Sequence, residues 1–348
     1  MTGADEGGDT WRPKEERDRV KGMIHRALRA RPSFTCLFPQ PGGCSAPVID
    51  SHSVQKSPIL RPLADAGNHV ITLQADLRLC EPPFEEPPKP QAKRVGVNEA
   101  TIFNGLCAAH DSSLFDPIEN MPFDPTNAKH LFLATYRSVL MELHRKRVCQ
   151  AQMSAVARGV LEDPGVHPLA RDIATFTSLA YAGGSRWITD LKGRLDQALS
   201  SNDYSRDLVH WGTYLSTPTR FALTSCFTPS FDFSGQRVQR FHPNRAPDWI
   251  SLSVFPRDGR TAVALTIPAN SPRVIMEIGN DLKNATPDDF QLKLSELVLA
   301  NVENIAISPD WWNALTPARR EAITAFFATT VNGGKAVFPG ATANLFQP

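Results

Sequence analysis

Cys107 and His110 stand with two residues between them in FNGLCAAHDSSLF (Phe103–Phe115), and Asp111 follows directly. Upstream, CLFPQPGGC is closed by Cys36 and Cys44, and His52 comes shortly after it in SHSVQ. Thiolate sulfur and imidazole nitrogen are the donors of tetrahedral structural zinc, and such donors come in pairs because one tight turn presents two of them. Cys107 and His110 have the usual spacer. Seven residues separate Cys36 from Cys44, longer than usual, but LFPQPGG carries two prolines and two glycines and can fold back on itself. Cys36, Cys44, Cys107 and His110 are therefore the expected zinc ligands. The competing reading is a set of buried cysteines and an ordinary histidine. Cys80, Cys149 and Cys226 fall in strand or helix patterns and read as core residues.

Other chemistries leave no trace. No Walker loop, glycine-rich dinucleotide fingerprint or G-x-S-x-G elbow occurs. The net charge of +1 provides no global field for nucleic acid or membrane. No apolar run approaches the roughly 20 residues that span a bilayer, so no membrane partner is expected. Six cysteines are too sparse for a disulfide scaffold, and MTGADEGGDTW lacks the features of a secretory signal. The expected compartment is the reducing cytoplasm, where clustered Cys and His favour metal.

The elements that must position these residues follow from periodicity and punctuation. Residues 1–10 read as disordered. Arg12–Arg31 reads as a helix with Val20, Met23, Ile24 and Leu28 on one face; its eight Lys/Arg against three Asp/Glu make it strongly basic. Val70–Leu79 reads as a strand, and EPPFEEPPKP (residues 81–90) as an insertion inside one small module. A long amphipathic helix capped by Thr126 or Asn127 runs to EDPG, and within it HRKR (His144–Arg147), with Arg145, Lys146 and Arg147, forms a basic patch, a solvated face or a phosphate contact. Two further helices, Leu169–Tyr181 and Ser185–Ser200, are expected on either side of a glycine stop in YAGG. After Pro218, RFALTSCF, GQRVQRF, DWISLSVF and TAVALTI alternate as strands, with PRDGR as a hairpin turn. Two helices close the chain, the second capped by Thr316. Of the adjacent Trp311 and Trp312, one is expected in the core and one against a helix start.

The cysteine pair, SHSVQ and NGLCAAHD together resemble the His-Asn-His endonucleases, whose ββα-metal unit often sits in a treble-clef zinc site. The resemblance covers about residues 33–115. It implies His52 as the general base that takes a proton from the water attacking a phosphodiester. It implies Asn104 as the residue orienting that histidine, and Asp111 as ligand of a catalytic Mg²⁺ or Mn²⁺. The sequence departs from the family pattern at Ser51, where the family has Asp or His, at Asn104, closer than usual to Cys107, and at Asp111, where the family has His. The runs SHSVQ, FNGLCAAHDSSLF and TPSFDFSGQRVQ are also similar to bacterial proteins associated with mobile elements or phage defence.

The expected fold is α+β. A basic N-terminal helix (1–31) precedes a zinc-centred, treble-clef-like module (32–120). A helical region (121–215) and an antiparallel sheet with two flanking helices (216–348) follow. The resemblance implies a metal-dependent nuclease or a nucleic-acid-binding derivative acting on DNA or RNA, and the basic patch read from the helix, Arg145, Lys146 and Arg147, would hold its phosphates. The other reading is a non-enzymatic, zinc-stabilised sensor or scaffold that binds a protein or ligand through its C-terminal half.

Overall fold

A computed structural model describes residues 14–40, 42–45, 47–75, 90–166, 168–240, 245–331 and 334–347. Residues 1–10, Cys80, the end of the expected strand at 76–79 and nearly all of EPPFEEPPKP lie outside the described residues. The chain is mixed α/β, with an antiparallel sheet built mainly from its C-terminal half and a Cys/His cluster near the N-terminus. The elements in order are α1 (Lys14–Ala27), β1 (Val48–His52), a helical turn at Lys56–Leu60 leading into α2 (Arg61–Leu63), β2 (His69–Ala75), β3 (Pro90–Gly96), β4 (Ile102–Cys107) and α3 (Ala108–Glu119). The long helices α4 (Ala128–Glu162) and α5 (Pro168–Ser200) follow, then β5 (Leu208–Leu215), β6 (Phe221–Phe227), β7 (Ile250–Arg257) and β8 (Arg260–Pro268). The chain continues with α6 (Arg273–Lys283), α7 (Pro287–Asn301), β9 (Ile305–Ile307), α8 (Pro309–Ala314) and α9 (Pro317–Val331).

Strands β3-β2-β9-β6-β7-β8-β5 form one antiparallel sheet. Its central strands β9, β6, β7 and β8 are buried on both faces because they alternate between two apolar layers, while the edge strands β3 and β5 are partly exposed. Leu223, Val263 and Leu265 pack with α6–α9, while Ala222, Ala262 and Ala264 pack with α4. Small residues on the α4 face let that helix lie close. Thr135 and Ser138 of α4 hydrogen-bond Thr266 and Ser251 of the sheet at 2.7 and 2.8 Å. His130–Met141 is buried all round, as a helix between two layers must be. The Asn127 side chain caps α4 by accepting from the Lys129 amide at 2.9 Å. In the PRDGR turn Asp258 and Gly259 take φ of 51° and 73°, the left-handed pair that matches strand twist.

Four expectations need correction. YAGG does not stop a helix: α5 runs unbroken through Gly183 and Gly184. Each glycine costs about 1 kcal/mol in a helix interior, but the antiparallel packing of α5 along α4 outweighs that, and the Lys146 stem crosses at Gly184. Among the described residues of GQRVQRF no strand forms; Arg237 makes one isolated bridge to Phe231. Both Trp311 and Trp312 are buried in the core under the sheet. The strand beginning at His69 leaves the N-terminal module and, with β3, extends the large sheet through β9. Helix α6 and strand β5 were not expected from the sequence.

Within β5, Gly212 meets the turn before α4: a Cβ there would lie 2.5 Å from the Pro125 carbonyl oxygen and 3.0 Å from Leu131 Cδ2. Backbone cannot yield as a flexible side chain can, so Gly212→Ala is expected to destabilise the fold by about 2 kcal/mol, read as a lowered denaturant midpoint with unchanged slope.

Candidate metal centre

Strands β1 and β4 pair as a two-stranded antiparallel ribbon, with Asp50 opposite Asn104 and His52 opposite Ile102. Helix α3 leaves directly from β4, so Cys107 occupies its N-cap and His110 its first turn. The segment before the ribbon is irregular and is held by its contacts. The Leu37 amide donates to the Gly105 carbonyl at 2.8 Å, and Phe38 stacks on His110 with centroids 4.1 Å apart. Gly42 and Gly43 take φ of 116° and 69°, which reverses the chain and returns Cys44 to Cys36.

Three sulfurs converge on one nitrogen. His110 Nδ1 lies 3.3 Å from Cys36 Sγ, 3.6 Å from Cys44 Sγ and 3.4 Å from Cys107 Sγ. All four donor atoms lie within 4.8 Å of one another. Hydrogen bonding does not account for this, because a ring nitrogen carries one proton or one lone pair and satisfies one thiol. A central cation does. Zinc bonded at about 2.3 Å to sulfur and about 2.0 Å to nitrogen gives tetrahedral S···N edges of about 3.5 Å. The electrostatics agree. Burial would raise the Cys107 thiol, yet hydrogen bonds from the His110 amide and from Ser45 bring it down to about 6. Burial and the neighbouring Cys36 and Cys107 push Cys44 up. Thiolates this close repel unless a cation sits among them. The cluster can hold a metal ion, and its donor set is that of structural zinc. Among the described residues no cysteine forms a disulfide.

The other sequence candidates lie around the ribbon. His52 ends β1, and its Nε2 donates to the Val97 carbonyl at 2.9 Å. A carbonyl only accepts, so the proton is on Nε2 and the Nδ1 lone pair is left open. Burial, assisted by Lys56 and Arg137, holds His52 below the ordinary imidazole value, while Asp111 pulls the other way. Asp111 is therefore within electrostatic reach. It sits in the first turn of α3, and its Oδ1 is buried without a hydrogen-bond partner. Asn104 Nδ2 donates to Asp50 Oδ1 at 2.7 Å and to the Ile49 carbonyl at 3.2 Å, so this side chain ties the two strands together. Ser51 is buried on the opposite face of the strand from His52.

Sequence reading missed Val97 as the partner of His52 and His144 as the acceptor of the Asn104 amide, at 3.1 Å. His144 looked like part of the basic run; a carbonyl reached across an insertion leaves no sequence signal. The basic run itself divides. Arg145 pairs with Glu303, and Lys146 with Glu142 at 3.2 Å. Burial depresses Arg147, and among the described residues it has no carboxylate partner.

His144 gives a pH prediction. Burial pushes its imidazole down to about 4, from 6.5 in an unfolded chain. A lowered folded pKa means the unfolded chain binds the extra proton. Stability is then fully present above about pH 6.5 and is lost as pH falls through about 4. After discounting for partial exposure the loss is on the order of 2 kcal/mol, and His144→Gln is expected to flatten that part of the stability-versus-pH curve.

Among the described residues no helix is long and apolar enough to cross a membrane. Comparison with known proteins finds no matching family model, no matching curated protein and no matching solved structure.

Proposed function

We propose that this chain is a metal-dependent nuclease, or a nucleic-acid-binding protein derived from one, built on a ββα unit in a treble-clef-like zinc centre. One observation carries the reading. At the junction of ribbon and helix, a neutral His52 with an open Nδ1 stands within reach of Asp111, whose buried Oδ1 lacks a partner. A buried, unpartnered carboxylate oxygen is costly unless it meets a cation. His52 takes the proton of the attacking water, a task a neutral imidazole performs near pH 7. Burial, with Lys56 and Arg137 nearby, keeps it neutral and ready to accept. A divalent ion on Asp111 would neutralise charge building on the phosphate. Zinc on Cys36, Cys44, Cys107 and His110 is structural in this reading, since four protein donors leave no open position. DNA or RNA is the substrate, with Arg147 the unpaired cation of the basic run.

Plasmid nicking in Mg²⁺ or Mn²⁺ tests this. His52→Ala is expected to slow cleavage at least roughly 100-fold, and Asp111→Asn to abolish the divalent-ion dependence. Wild-type cleavage by His52→Ala would end the mechanism.

A second reading is a zinc-stabilised scaffold or sensor. It is favoured by the engagement of Asn104 with Asp50 in place of His52. Metal analysis separates the two: the scaffold holds one zinc and shows no second divalent site by titration.

A further inference from the structure

A second site lies away from the zinc centre. A cavity of about 260 Å³ opens between α4, α5 and the end of β6, lined among others by Glu142, Arg145, Lys146, Trp187, Phe231 and Glu303. Its wall is rich in donors. A guanidinium offers five N–H groups and an ammonium three. Each cation here is engaged by one carboxylate, Arg145 by Glu303 and Lys146 by Glu142. The indole Nε1 of Trp187 is buried without a hydrogen-bond partner among the described residues, so the indole's contribution to this wall is its ring. Coulombic attraction to Glu142 keeps the Lys146 ammonium charged. Trp187 and Phe231 add aromatic faces, and Phe231 already carries the Arg237 guanidinium 4.6 Å from its centroid. Phe227 lines the same wall.

We propose that this cavity binds a single nucleotide, with its phosphate on Arg145 and Lys146 and its base against Trp187 and the neighbouring phenylalanines. The acceptor-rich group the donors call for is a phosphate, and the flat group the aromatics call for is a heteroaromatic ring. The volume lies just below the usual range for small-ligand pockets, which suits one nucleotide and excludes a strand. Glu142 and Glu303 give up part of their pairing when the phosphate enters, so binding weakens as salt rises. This site stands independently of the zinc centre and of any cleavage chemistry.

The test uses the full-length protein and the four common ribonucleoside monophosphates, with the nucleosides and inorganic phosphate alone as separate arms. Calorimetry reads affinity, and tryptophan fluorescence reads location. The expected result is saturable binding of at least one monophosphate, tighter than its nucleoside, with quenched fluorescence. Lys146→Ala is expected to weaken binding at least tenfold. Trp187→Phe leaves a smaller ring to stack on and removes the fluorophore. It is expected to weaken binding roughly fivefold and to remove the quenching. Matching melting temperatures of the variants exclude a folding defect. The proposal is overturned by the absence of saturable binding up to about 1 mM for all four monophosphates. Nucleosides binding as tightly as monophosphates, or unchanged affinity in both variants, also overturn it.

Discussion

Stripping the metal, or replacing Cys107 by Ser, is expected to release residues 34–52 from the body of the protein while the large sheet stays folded. The segment from Phe34 to Ser45 has no regular secondary structure among its described residues. What fixes it is the cluster itself, the bond from Leu37 to Gly105, the Phe38–His110 stack and the contact of Phe34 with His144. His110 belongs to the cluster, so the stack loosens when the cluster opens. Without a cation the remaining donors no longer hold the segment in place. Structural zinc contributes on the order of 10 kcal/mol where the whole fold depends on it. Here the sheet keeps its own two-sided core, so the loss appears as local opening. The measurements are metal content, expected at one zinc per chain in the wild type and none in Cys107→Ser, and hydrogen exchange. Exchange should rise in 34–52 and in α3 and stay slow in β6–β8. Cys149→Ser, a free thiol outside the cluster, keeps its zinc. A wild-type protein without bound metal would remove the basis for reading this region as a metal centre.

How much of this was legible follows from how local each signal is. The four donors could be named because Gly42 and Gly43 announce a reversal between the first two, and the C-x-x-H spacing fits one helical turn. The start of α4 and the hairpin after β7 were legible for the same reason: Asn127 and Asp258-Gly259 do their work within a few residues. What failed was non-local. Gly183-Gly184 reads as a stop until α4 is laid along α5. Strand β2 looks like part of the zinc module until β9, more than 200 residues later, offers it an edge at Ile307. Arg145 and Lys146 look like surface cations until Glu303 and Glu142 are brought to them. The roles around His52 were legible as residue types only. That Val97 fixes its tautomer, and that Asn104 serves Asp50, depends on an insertion of about 50 residues between the two halves of the ribbon folding back against it.

The far end of α3 carries the other large expected effect. The Cys/His cluster holds its first turn, and Glu119 fixes its last by pairing with Arg137 of α4 at 2.5 Å. The Arg137 side chain is 4% exposed, its guanidinium lies 3.9 Å from the Phe115 ring centroid, and its Nε is buried without a partner. Glu119→Ala would leave that cation buried with its counter-charge gone. Removing one partner of such a pair costs about 3–5 kcal/mol; the lower end applies because Glu119 is itself 31% exposed. The Gln55 side chain, which donates to the Ile118 carbonyl at 2.8 Å, holds the same turn and limits how far it can swing. Replacing both partners with apolar residues, Glu119→Leu with Arg137→Met, is expected to recover most of the stability, because no unpaired charge then remains. A double-mutant cycle in urea measures the difference. Additive losses would mean that Arg137 relies on Phe115 and not on Glu119. Metal content should be unchanged throughout, since the ligands lie two turns away. The Cys/His cluster and this ion pair would then be two separate anchors of α3, the helix that carries Asp111.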